Sequence, residues 1–135
     1  RPMRYLVFLV LSVSLAASAT AAERPITAEE FERIVTGKTF SYAVGGVPYG
    51  AEEYLANRRV RWTFLDGNCS EGNWYPSADQ ICFLHDPIPD PQCWYFFEQG
   101  GQLTARFVGQ SEATDLFETS RQSEPLQCLG PEVGV

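Results

Sequence analysis

After Gly37 the hydrophobic period of the chain changes from about 3.6 residues to 2, and short apolar runs then alternate with turn clusters. KTFSYAV, EEYLA, RVRWTFL, CSEGNWY, QICFLH, QCWYFFEQ and QLTARFV read as strands, parted by GGVPYG, DGN, PSAD, DPIPDP and GG. The segment around Ala113 to Glu118 is expected to add an eighth. Turn lengths set a testable register. A three-residue turn at Asp66–Asn68 sets Trp62 opposite Gly72 and Val60 opposite Trp74, and a four-residue turn at Pro76–Asp79 sets Trp74 opposite Ile81. Pairing Cys82 with Cys93 sets Ile81 opposite Trp94. The Gly100-Gly101 turn then sets Trp94 opposite Phe107 and Phe96 opposite Ala105.

One face thereby collects Val60, Trp62, Phe64, Trp74, Ile81, Phe83, Trp94, Phe96, Leu103 and Phe107, including every tryptophan. A one-residue slip at any turn would scatter this set over both faces. Large aromatics facing glycine bend a sheet toward closure. The expected fold is mainly β. A short N-terminal helix precedes a curved antiparallel meander or small barrel of about seven to eight strands, stapled by disulfides. Tyr75, Leu84, Tyr95 and Phe97 fall on the outer face.

The helix is signalled by Thr27 and Glu30, spaced as a capping box, and by Phe31, Ile34 and Val35 on one stripe before Gly37 stops it. The stripe is expected to cover part of the outer face. The tail from Ser123 reads as irregular.

Ahead of the helix, Arg4, the apolar run Tyr5–Leu15 and the small residues Ala19-Thr20-Ala21 form an export signal over residues 1–21. The run is too short to span a membrane. Residues 22–135 then make one small β-rich domain. Without Arg1 and Arg4, 8 basic residues face 17 acidic ones, a net charge of −9. Such a body repels phosphate backbones, so no nucleic acid is expected as a partner. No second long apolar run exists, so no membrane insertion is expected after the signal is removed.

An even cysteine count in an exported chain favours disulfides. The register makes Cys82 and Cys93 cross-strand neighbours on the outer face, and bridging them closes the Asp86–Pro91 loop, worth ~3 kcal/mol on chain entropy. Cys69 then takes Cys128 and ties the tail to the sheet. Zinc ligation would want a close cysteine pair, which the spacing lacks. A catalytic thiol would need a free cysteine with His85 as base, but His85 lies three residues from Cys82 and points to the opposite face. His85 reads as a solvated or hydrogen-bonded rim residue.

The remaining constellations are weak. Asp66–Gly72 places oxygens like a calcium loop but lacks the glycine and glutamate such a loop needs, so it reads as a hairpin turn. Asp86 and Asp90 read as part of a solvated, proline-stiffened connection. Glu52, Glu53, Glu71, Glu98, Asp115 and Glu118 read mostly as surface acids. No hydrolase, phosphate-loop or dinucleotide motif is present. No enzyme activity, metal or cofactor is expected. Trp62, Trp74, Trp94, Phe96 and Phe107 are candidates either for core or for the lining of a ligand pocket, with Tyr42, Tyr49 and Tyr54 at its mouth.

GKTFSY, PYGAEEYL, RRVRWTF, the C-x2-G-x-WY segment, QICF and QCW-x-FF resemble a group of small exported proteins from Rhodobacter-like alphaproteobacteria. That resemblance runs from about Thr27 to Val135. It implies export and transfers no catalytic residue. A looser likeness, on Gly72-Asn73-Trp74 and the general pattern, is to periplasmic protease inhibitors built as small eight-stranded barrels. The expected function is therefore an exported, inhibitor-like binding module, periplasmic or secreted, whose partner is a protein or a small molecule. The alternative is a small-molecule carrier using the curved aromatic face, which requires a cavity of several hundred cubic ångströms.

Overall fold

Strand follows strand along the chain, and the register of each hairpin gathers most of the large apolar side chains on one face. The computed structural model describes residues 1–3, 13–17 and 23–129. The expected export signal therefore lies largely outside the described residues. The ordered body begins with helix α1 (Ala28–Val35) and continues through β1 (Lys38–Val44), β2 (Val47–Tyr54), β3 (Arg59–Thr63), β4 (Cys69–Ser77), β5 (Gln80–His85), β6 (Gln92–Gln99), β7 (Gln102–Phe107) and β8 (Leu116–Gln122). Each strand pairs antiparallel with the next, and β8 returns to β1, closing an eight-stranded barrel. Closure leaves no edge strand among the described residues. Among the described residues no helix is long and apolar enough to cross a membrane.

The expected meander is present, with two instructive differences in register. Val60 pairs with Gly72 and Trp62 with Ser70, because residues 64–68 form a longer connection than the three-residue turn expected. Trp74 pairs with Phe83, because β4 runs on through Ser77 into a turn at Ala78–Asp79. Both shifts are two residues, so every side chain keeps its face. Ile81–Trp94, Cys82–Cys93, Trp94–Phe107 and Phe96–Ala105 pair as expected. Phe64 is the exception on the inner face: it lies past the end of β3 and is 60% exposed. The eighth strand starts later than expected, since residues 112–114 form a 3-10 turn before Leu116.

Thr27 Oγ1 accepts the Glu30 N–H at 3.1 Å, capping α1 as its sequence foretells. The destination of the helix is not the outer face. Phe31 is fully buried and meets Tyr54, Trp74, Phe83 and Phe96, with ring centroids 4.6 to 6.4 Å away. Those partners stand on β2, β4, β5 and β6, so the ring enters the barrel lumen and stoppers one end. The physical reason is that an open barrel end full of aromatic rings exposes more apolar surface than the scattered outer residues do. Outside, Phe97 is already covered by the Arg106 guanidinium, 5.0 Å from its ring centre. Arg58 pins the helix from its rim, with Nε 3.3 Å from Glu32 and its guanidinium over Trp74.

Two disulfides, Cys82–Cys93 and Cys69–Cys128, complete the fold. The second spans 59 residues and anchors the irregular tail. Two such bridges are the mark of a chain that works in an oxidising, non-cytoplasmic compartment.

Candidate functional site

Eight strands enclose a lumen just wide enough to be filled by side chains or to hold one small ligand. Here the two ends differ. At the stoppered end Phe31, Phe40, Val60, Trp74, Ile81 and Leu103 are packed shut. Toward the other end the inward positions include Ser70 and Ala105, and the lumen opens into a cavity of about 310 Å³. Tyr54, Phe83 and Phe96 form its floor above Phe31, while Trp62, Trp94 and Phe107 stand in its wall. Trp94 and Phe107 meet edge to face at 5.0 Å. Tyr49, Phe64 and Ile88 reach the surface around it, at 40%, 60% and 45% exposure.

Glycine shapes this wall at two places. A Cβ at Gly50 would collide with the indole of Trp62, so the missing side chain lets that ring lie flat against β2. A Cβ at Gly72 would collide with the Leu84 carbonyl, so glycine lets β5 approach β4 closely beside His85.

One acid stands among these rings. Glu52 is 2% exposed, and its Oε1 lies 3.0 Å from His85 Nε2. His85 in turn stacks on Phe83, with the rings parallel to within 2°. Burial raises the Glu52 carboxyl above the ordinary glutamate range, an effect that His85 partly offsets by hydrogen bonding and attraction. Deeper in, the Tyr42 and Tyr54 hydroxyls lie 2.9 Å apart. Burial raises both phenols. Two hydroxyls joined by one bond leave a further proton free to donate.

The other buried acids are differently provided for. Glu53, Asp115 and Glu118 each face an arginine, respectively Arg61, Arg106 and Arg121. Glu118 also accepts the Leu103 N–H at 2.8 Å. Among the described residues Glu52 has no arginine ion pair, and its Oε2 is buried with no hydrogen-bond partner. An orphaned buried carboxylate oxygen costs stability wherever nothing in the fold answers it.

Of the expected lining residues, Trp62, Trp94, Phe96 and Phe107 line the cavity, whereas Trp74 packs under Phe31 as core. Tyr49 stands at the mouth as expected, but Tyr42 and Tyr54 lie inside and are buried. Glu52, Glu53, Asp115 and Glu118 are not the surface acids their sequence context indicates, because each has a polar partner that makes burial tolerable. His85 is hydrogen-bonded as expected, but it lines the cavity rather than standing solvated at a rim, and its side chain is only 11% exposed. The signal for Glu52 was its parity: it sits two residues before the inward Tyr54 on one strand. Asp66 makes the turn expected of it, accepting the Asn68 N–H at 3.0 Å.

Comparison with protein-family models, with curated proteins and with solved structures returned no match to this chain.

Proposed function

We propose that the protein is an exported carrier or receptor that holds a small molecule in the lumen of its barrel, working in the periplasm or outside the cell. The observation that carries this reading is the cavity itself. A volume of about 310 Å³ falls at the lower end of the range for ligand pockets. A chain of this size, packed tightly around Phe31 at one end, has the aromatic side chains to fill the other end and leaves it open. Concave, mostly apolar walls with a few converging polar groups are the usual build of a small-molecule site. The cavity favours a carrier over the inhibitor-like, protein-binding module that the sequence ranks first, since binding to a protein surface makes no use of an internal space.

The test is a titration with indole, followed through the side-chain N–H signals of the tryptophans by NMR. Shifts at Trp62 and Trp94, with Trp74 little moved, are expected. Ala105→Trp, checked for folding by its thermal melt, fills the cavity and should abolish them. Shifts confined to the outer face, or unchanged by Ala105→Trp, would overturn the reading.

A further inference from the structure

Resting on the reading of the cavity as a ligand site, we propose that its occupant is a small aromatic amine, whose protonated nitrogen meets Glu52 Oε2 and whose ring lies among Trp62, Trp94 and Phe107. Three observations point the same way. First, Glu52 is almost wholly buried on the cavity wall, and one of its oxygens has no partner among the described residues. His85 already occupies the other oxygen. A donor arriving from the cavity is what the arrangement lacks.

Second, the sign of the site is set. Its lining includes no lysine or arginine. A carboxylate or phosphate entering it would be set against Glu52, and the basic side chain in the lining, His85, is already engaged with that acid. A neutral hydroxyl would satisfy the oxygen without bringing positive charge to the carboxylate, whereas an ammonium does both. The chain's net charge of −7 draws cations toward it from solution.

Third, the walls suit a cation carried on a ring. Aromatic faces attract ammonium groups within about 6 Å of the ring centre. Trp62, Trp94, Phe107 and Phe83 surround the space, and the rings at the mouth, Tyr49 and Phe64, lie 5.7 Å apart edge to face. The same faces stack on an aromatic body. Elsewhere in the molecule arginine makes this contact, over Trp74, Phe97 and Phe40. The lumen rings of the cavity have no such cation from the chain itself among the described residues.

The test uses three indoles that differ at the side-chain terminus, tryptamine, tryptophol and indole-3-acetate, titrated calorimetrically into the disulfide-intact protein at neutral pH. Tryptamine is expected to bind about tenfold or more tightly than tryptophol, as a charged hydrogen bond in a dry site would give. Indole-3-acetate is expected to be weakest. Glu52→Gln, which keeps shape and can still bond His85, should remove the tryptamine advantage while leaving tryptophol nearly unchanged. Indole-3-acetate binding as tightly as tryptamine would overturn the proposal, as would an advantage that survives Glu52→Gln. If that variant fails to fold, the ranking on the unaltered protein decides alone. Equal binding of all three, lost in Ala105→Trp, would remove the amine and keep the cavity as a ligand site. Binding of none would remove both.

Discussion

Glu52 holds its proton more tightly in the folded chain than in the open one, because ionising it inside the barrel gives up hydration that His85 only partly replaces. The consequence for stability has a definite sign. A carboxyl whose folded value is raised favours folding most below its unfolded value, near 4.5, and loses that contribution as pH rises through the folded value. Glu52→Gln has no proton to lose. The variant should therefore melt above the parent protein at neutral pH, with the gap closing as pH falls toward the ordinary glutamate range. Paired thermal melts across that range check this, and a gap that widens on acidification would contradict it. Sequence patterning gives the face such a residue takes but hides its partner. Charged side chains are almost never buried alone, and the chain does not announce which of its many acids will find a partner across the lumen. His85 stands 33 residues away, on a strand that meets β2 only across the interior.

At the scale of elements, α1 shows which part of a fold is local. Its cap, its stripe and its stop depend on neighbours within one turn and were legible. Its docking was not, because the stripe fits any apolar surface, and only closure of the barrel creates the end that needs stopping. Phe31→Ala removes a ring touching four strands and should cost about 3–5 kcal/mol, as deletion of a buried phenylalanine does. Leu84→Ala, on the outer face and 41% exposed, should change stability by less than about 0.5 kcal/mol. Urea unfolding with both disulfides intact compares them. Equal small losses would mean that α1 is a loose attachment rather than a stopper. The hairpins teach a related lesson. Turn lengths at Phe64–Asn68 and Ala78–Asp79 differ from the expected ones by two residues, and face assignment survived because side chains alternate with that same period.

The whole molecule is an anionic, doubly stapled barrel with one end filled and the other hollow. The β1–β8 seam joins strands some 80 residues apart, as in Ser41 with Ser120, and no turn reports it. That distance made a curved meander and a barrel equally legible. The hollow end is harder still to read, since a cavity is a small difference between enclosed volume and the side chains that fill it. Small residues in the lining, Ser70 and Ala105, contribute to that difference, and each is individually unremarkable in the sequence. The most direct measurement is native mass spectrometry of the protein purified from the cells that make it, beside Ala105→Trp prepared identically. The barrel as a carrier requires a non-covalent small molecule on the unaltered protein that leaves on denaturation and is missing from the filled variant. A bare chain in both preparations, or the same adduct on both, would contradict it.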